Sequence, residues 1–316
     1  MAEKIEQSVC LQDRERNRDW LTALIPIWLI GFVYYGWWVP ALALTGAGAY
    51  LAVAVLSARG AWLPRRVEEA LATALLVTFC LPSTAPLWAV ALACAVAALL
   101  TAGVDFGSKR WHWVTAPVCP ALAGYGVVRL VFPAALSGYE MPVQFVPLDG
   151  VSGATPTAAL WDGTSKETLT RLFTGAHNSA IGEGCAAVIL LVAAYLLLRR
   201  RLRLIAPGAM LATVALLSWL IWDAPLYGVL TGGVMLAALV MADRAYAPVS
   251  YVGQALMGVL VGGTVVLVRG VFGNDGCAVA VLAGCVFAAF YPMLAGLVSR
   301  KSEAKAEKFS KTENKC

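Results

Sequence analysis

Apolar residues in this chain are gathered in long unbroken runs, not spaced at helical or strand intervals. Runs of about 17–22 residues are long enough to cross the hydrocarbon layer as helices. They fall at roughly 19–36, 38–56, 85–103, 114–135, 183–199, 205–222, 226–242, 252–272 and 277–298. A shorter run, 69–81, follows Glu68 and leads into Leu81-Pro82-Ser83. The pattern predicts an all-α polytopic membrane protein of about ten transmembrane helices, the third short or broken. Pro40, Pro82, Pro86, Pro117, Pro207 and Pro225 stand at or near the ends of runs, where a missing N–H matters least.

One long polar loop, about 136–180, separates five runs from five. An odd number of spans per half makes the halves enter from opposite sides, as in an inverted repeat. The expected organisation is therefore an N-terminal tail and first five-helix half over 1–135, an outer loop over 136–180, a second five-helix half over 181–299, and a basic tail over 300–316. The tail is charged and poor in apolar residues, which predicts disorder.

Composition agrees with the runs. The chain is 60% hydrophobic and 14% charged, with a mean hydropathy of +0.73, outside the range of ordinary soluble domains. The mixed charges Glu3, Lys4, Asp13, Arg14, Glu15 and Arg16 ahead of a full-length first run predict no cleavable signal peptide. A net charge of +5 does not point to nucleic acid, because the basic residues lie at the ends of apolar runs.

Those basic residues set an orientation. With the N-terminus inside, 20 of the 24 lysines and arginines fall on inner segments, among them Arg59, Arg65, Arg66, Lys109 and Arg110, the cluster Arg199, Arg200, Arg201 and Arg203, and Arg244. Outer positions keep only Arg129, Lys166, Arg171 and Arg269. Both termini are then cytoplasmic, and the long loop lies outside the bacterial inner membrane, periplasmic or extracellular.

Candidate chemistry is concentrated in that loop, at Asp149-Gly150-Val151-Ser152-Gly153-Ala154-Thr155 before Pro156. Small residues leave the backbone open to a bulky group approaching the Thr155 hydroxyl, although Asp, Gly, Ser and Pro are also ordinary turn punctuation. The full seven residues resemble the acceptor motif of bacterial flavin transferases, which join FMN through its phosphate to a threonine. From about Trp20 to Val298 the chain resembles the D subunit of the Rnf complex (ion-translocating ferredoxin:NAD oxidoreductase), in the NqrB/RnfD family. It is also similar to the B subunit of the sodium-pumping NADH:quinone oxidoreductase. The resemblance implies a fold like that of urea transporters, covalent FMN on Thr155, and recognition of Asp149, Gly150, Ser152, Gly153 and Ala154 by the transferase. It also implies a second, non-covalent flavin (riboflavin or FMN) within the helices.

The implied role is a membrane electron-transfer subunit, inactive alone. Its implied partners are iron–sulfur membrane subunits and a second FMN-bearing subunit, with the flavin transferase and membrane lipid. The first run begins near Asp19 without a long extension, which favours the Rnf form over the quinone reductase. A flavin-based electron-export subunit and a urea-transporter-like solute channel are the alternatives; the channel predicts a colourless polypeptide.

Other residues read two ways. Ser179-Ala180-Ile181-Gly182-Glu183 before the sixth run is a helix-capping pattern or, since Glu183 lies near the membrane boundary, a functional carboxylate. It resembles the family's Ser-x-x-Gly-Glu. Cys119 stands where the family's Asn-Pro-Ala-Leu segment has its asparagine, and Met241-Ala242-Asp243 is one residue shorter than the related Met-Ala-Thr-Asp. Thr231-Gly232-Gly233 suits close helix packing or ligand approach. Eleven tryptophans, including Trp37-Trp38, Trp88, Trp219 and Trp222, sit near run ends as an interfacial belt. Eight cysteines without a CxxC give no metal-ligand spacing, and His112 and His177 are isolated. No Gly-rich phosphate loop precedes a βαβ unit, so NADH or ferredoxin is assigned to another subunit.

Overall fold

The structure is a computed structural model that describes residues 2–57, 63–107, 119–142, 155–156, 168–244, 246–248, 250–272, 280–288 and 290–291. Its described residues form helices and connecting turns, with one isolated antiparallel bridge and no strand. The first half holds α1 (Ala2–Tyr35), α2 (Trp38–Ser57), α3 (Leu63–Cys80), α4 (Leu87–Gly107) and α5 (Pro120–Val131). A 3-10 turn, Pro133–Leu136, follows. The loop region contributes the short α6 (Leu169–Thr174). The second half holds α7 (Ala186–Leu198), α8 (Ile205–Trp222), α9 (Pro225–Leu230), α10 (Val234–Met241) and α11 (Tyr251–Phe272), with a further helical stretch at 280–288.

A helix thus lies on each of the ten apolar runs. Among the described residues three of them, at Trp38–Leu56, Ile205–Trp222 and Tyr251–Arg269, are long and apolar enough to cross a membrane. The chain is a membrane protein by these helices and by its composition. Two runs behave differently from expectation. The third is an unbroken 18-residue helix, because its polar N-terminal extension from Leu63 adds a turn before the apolar part. The eighth, expected as one span over 226–242, is split into α9 and α10. The split falls at Thr231-Gly232-Gly233, where both glycines are left-handed, with φ of 62° and 71°.

The N-terminal tail is also helical, continuous with the first span. Its Ala, Glu, Lys, Gln and Arg residues are good helix formers, and the helix continues past Pro26.

Pairing of helices follows a similar order in the two halves. In the first, α2 packs most extensively on α4, with α2 on α3 and α1 on α3. In the second, α8 packs most extensively on α11, with α9 and α10 on α8 and α10 on α7. One continuous buried core runs through both, from Trp20 and Leu24 of α1 to Val265 of α11 and Cys285. The outward faces stay apolar: Leu44, Leu56, Leu220 and Leu267 are exposed, as side chains facing lipid would be. Within the helices, Thr45, Thr78, Thr101 and Thr213 donate to the carbonyl four residues back. This is the local way to satisfy a hydroxyl where no water is at hand.

The halves are also clamped at one end of the helices. Asp19 of α1, almost fully buried, accepts Arg199 Nη2 at 2.7 Å and Arg201 Nε at 2.6 Å. These arginines belong to the turn between α7 and α8. Close to the opposite end, Ile181 and Gly182 donate their N–H groups to Leu81 and Phe79 carbonyls, both at 3.0 Å. The chain leaving α3 is thereby joined to the chain entering α7.

Candidate functional site

The site is organised by the interruption between α9 and α10. Pro225 opens α9, where its fixed φ suits a first helical position. The helix stops after six residues because Thr231 is extended and Gly232 and Gly233 turn left-handed. Such a stop leaves carbonyls at the end of α9 and N–H groups at the start of α10 without helical partners.

Two charges meet these ends. Arg269 of α11, 1% exposed, donates Nη2 to the Thr231 carbonyl at 2.6 Å, which places a cation at a helix C-terminus. Glu183, half-buried in the turn before α7, lies against Gly233, the residue that caps the start of α10. A methyl group built on Gly233 would run into the Glu183 carboxylate. A carboxylate at a helix N-terminus and a guanidinium at a C-terminus are the favourable placements for the helix dipole.

From the break, α9 leads back to the loop. Tyr227, buried in α9, donates its hydroxyl to the Pro156 carbonyl at 3.3 Å. The adjacent Thr155 is 6% exposed. Tyr227 forms a small apolar cluster with Leu172 of α6, packed by Trp222, Ala224 and Leu230. Tyr227 is one helical turn from the break, because the Thr231 N–H donates to the Tyr227 carbonyl at 3.1 Å. Thr155, Tyr227, the helix break, Arg269 and Glu183 therefore belong to one continuous region.

Of the predicted site residues, Asp149, Gly150, Ser152, Gly153 and Ala154 lie outside the described residues, as do Lys166 and His112. The capping reading of Ser179 and Glu183 is not realised. Helix α7 starts only at Ala186, with Cys185 as its cap residue and no side-chain cap bond. Ser179 is buried, and its backbone carbonyl accepts the Tyr35 hydroxyl at 3.5 Å. His177 is buried with Nδ1 3.4 Å from the Arg171 carbonyl, an ordinary loop-closing contact. Trp37, Trp38, Trp88 and Trp219 are exposed, as belt residues would be.

Arg129 and Arg269, expected as outer-end charges, are both buried in the helical body. Arg129 turns its guanidinium onto the Pro133 carbonyl at 2.5 Å. Sequence reasoning missed the role of Arg269, and of Tyr227 with it. The available signal was an arginine in the last turn of the 22-residue apolar helix α11, since an ionisable residue within an apolar run is a functional candidate.

A second feature lies near the Asp19 clamp. Cys119 and Asp243, from two segments singled out in the sequence, line one cavity of about 90 Å³ with Arg16, Asn17, Trp20 and Tyr246. Cys119 is the cap residue of α5 ahead of Pro120 and makes no side-chain cap bond, a position that asparagine suits well. The cavity is several-fold smaller than the ~300 Å³ or more of pockets that enclose drug-sized ligands, so a flavin ring would have to open it. Among the described residues, no three His, Cys, Asp or Glu side chains gather as metal ligands.

Comparison with known proteins gives the family. The model of the NQR2, RnfD, RnfE family matches residues 12–302, nearly the whole chain. The chain belongs to that family. It is 33% identical to the D subunit of the ion-translocating oxidoreductase complex of Ectopseudomonas mendocina, over 68% of this chain and 70% of the relative. It is 29% identical to the D subunit of the Na(+)-translocating ferredoxin:NAD(+) oxidoreductase complex of Acetobacterium woodii, over 83% and 82% of the two chains. With the D subunit of the proton-translocating ferredoxin:NAD(+) oxidoreductase complex of Clostridium ljungdahlii the identity is 25%, over 84% and 81%. The relatives' names thus include both sodium and proton translocation, and family membership alone does not select the ion.

Proposed function

We propose that this chain is the D subunit of an Rnf-like ion-translocating ferredoxin:NAD oxidoreductase, carrying FMN through its phosphate on Thr155. The observation that carries the reading is the family match over residues 12–302 in a chain that also holds the complete Asp149–Thr155 acceptor motif. Three relatives named as D subunits of such complexes support this form over the quinone-reductase one. In this reading the ten helices all span the bacterial inner membrane as two inverted five-helix halves, supported by the similar pairing of α2 with α4 and α8 with α11. The Thr155 loop is outside and both termini are inside, in keeping with the inner arginine cluster.

The residues present suit a phosphate-linked flavin at Thr155. The residue offers a hydroxyl for the ester, its neighbour Pro156 is anchored by Tyr227, and aromatic Trp222 and Tyr227 stand beside the anchor. FMN, when attached, supplies one- and two-electron redox chemistry. Because Thr155 is buried, the transferase requires this part of the loop to leave Tyr227 during attachment.

The chain's own contribution is positioning and electrostatics. Tyr227 and α9 tie the loop to the break, Arg269 fixes the Thr231 end of it, and Glu183 presents a carboxylate at the other. A carboxylate so placed holds a cation more tightly when negative charge is added nearby, and less tightly when it is removed. Glu183 is thus the residue that links redox state to ion occupancy. Electrons reach and leave through partner subunits that carry iron–sulfur centres and through a second FMN-bearing subunit. The test is purification of the full chain after co-expression with a flavin transferase. The denatured polypeptide is expected to fluoresce as a flavin; a colourless chain under conditions that label a known acceptor would favour a solute channel.

A further inference from the structure

The turn after α7 and the segment after α10 are joined by the isolated antiparallel bridge into a bracket at the inner end of the protein. Leu202 bridges Asp243 in antiparallel fashion, Arg203 donates its N–H to the Ala242 carbonyl at 2.7 Å, and Arg244 donates to the Arg201 carbonyl at 3.3 Å. This register gathers Arg199, Arg200, Arg201, Arg203 and Arg244 within a few residues of one another. Arg199 and Arg201 are engaged with Asp19, and Arg201 also lies 3.6 Å from Glu15. The Arg203 guanidinium donates to the Pro248 carbonyl at 2.7 Å.

Arg200 and Arg244 are different. Both are exposed, and among the described residues neither has a hydrogen bond or ion pair through its side chain. Arg244 sits across the bracket from Arg201, and like charges so placed repel. Against five guanidinium groups the bracket region sets Glu15, Asp19 and Asp243, which leaves positive charge in excess. Arg200 is moreover held at a φ of +55°, a conformation that non-glycine residues seldom adopt.

The surroundings of this pair are apolar. Leu198 is 85% exposed and Leu204 57%, so bare leucines flank the arginines on either side. Helix α8, long and apolar enough to cross a membrane, begins at Ile205, immediately after Leu204. The bracket therefore sits at the depth of lipid headgroups. A phosphate beside the arginines with acyl chains along the leucines would use both features, whereas a soluble anion would leave the leucines unused. We propose that Arg200 and Arg244 form a binding site for the headgroup of an anionic phospholipid, whose acyl chains cover Leu198 and Leu204. The site stands on the membrane reading of the helices and is independent of flavin attachment at Thr155.

The test is native mass spectrometry of the full-length chain released from mixed micelles containing equal phosphatidylglycerol and phosphatidylethanolamine. The parent is expected to retain phosphatidylglycerol preferentially. Each arginine near a headgroup contributes about fivefold in affinity, so Arg200→Gly/Arg244→Gln should lower the preference by roughly tenfold or more. Arg171→Gln, in α6, should leave it unchanged. Arg200→Gly alone separates binding from folding, because glycine relieves the positive φ. Its thermal midpoint should be equal to or above the parent's while lipid retention falls. Unchanged lipid preference in the double variant overturns the proposal. So does displacement of the lipid by millimolar inorganic phosphate, which would mark a soluble-anion site. Unchanged lipid retention with loss of a copurifying partner protein would instead make the bracket a protein-docking surface, and would equally overturn it.

Discussion

Replacing Gly233 with alanine probes the helix break directly. Gly233 has a φ of +71°, and a methyl group there meets the Glu183 carboxylate. Gly36, at the end of α1, supplies the control: its φ is +69°, but nothing lies within 4 Å of an added Cβ. Gly36→Ala therefore reports the backbone cost alone, roughly 1–2 kcal/mol. Gly233→Ala carries the same cost and in addition displaces the carboxylate from the start of α10. That interaction contributes about 0.3–1 kcal/mol at an exposed helix end and up to ~2 kcal/mol when partly buried. Overpacking at the contact adds about 1–3 kcal/mol. The excess of Gly233→Ala over Gly36→Ala should thus be about 2–4 kcal/mol. Glu183→Ala removes the atoms that the methyl meets, so in that background Gly233→Ala should cost no more than Gly36→Ala. Denaturant midpoints in mixed micelles measure the cycle where unfolding is reversible, and inactivation half-lives do so where it is not. Equal costs of Gly233→Ala in both backgrounds, within about 0.5 kcal/mol, would refute the contact between Glu183 and the break.

Three further outcomes follow from the same geometry. Glu183→Gln keeps the shape but removes the charge, so the complex should assemble and remain flavin-labelled while ion transport per electron, measured in proteoliposomes, falls; transport equal to the parent's would move coupling to another residue. Cys119→Asn should stabilise the chain by about 1 kcal/mol, the usual gain from a side-chain helix cap, read as a higher denaturant midpoint; no gain would mean that the cavity-lining position cannot use the cap. Single cysteines replacing Lys166 and Arg200 in a cysteine-free background should react with an impermeant thiol reagent from opposite sides of the membrane, because carrying the arginine cluster through the bilayer centre is costly; labelling from the same side would contradict the ten-span topology.

Long apolar runs made the helices legible, since they admit few structures other than buried or membrane-crossing helices. The interruption of the eighth run was not legible, because Thr231-Gly232-Gly233 looks the same whether its small residues pack a helix or end one. Only the left-handed backbone of Gly232 and Gly233 decides between them, and left-handedness is a property of tertiary context. The partner of Arg269 was hidden for a related reason. An arginine near the end of an apolar run suggests an interfacial charge, yet the opened carbonyl at Thr231 gives its guanidinium a buried partner from a distant segment. Ser179 and Glu183 suggest a helix start, although they are one residue further apart than a capping box requires, and the chain between them is tied by Ile181 and Gly182 to the end of α3. The helix cannot begin until Ala186, and Glu183 is left for the break instead.

The most direct measurement of the central claim is peptide mass spectrometry of the chain after co-expression with a flavin transferase. The peptide spanning Asp149 to Thr155 should carry the mass of phosphate-linked FMN, with fragment ions assigning it to Thr155. In the Thr155→Ala variant the peptide should be unmodified and the denatured band dark, while the chain still inserts in the membrane. An FMN adduct on another residue, or a fluorescent band that survives Thr155→Ala, would contradict the account.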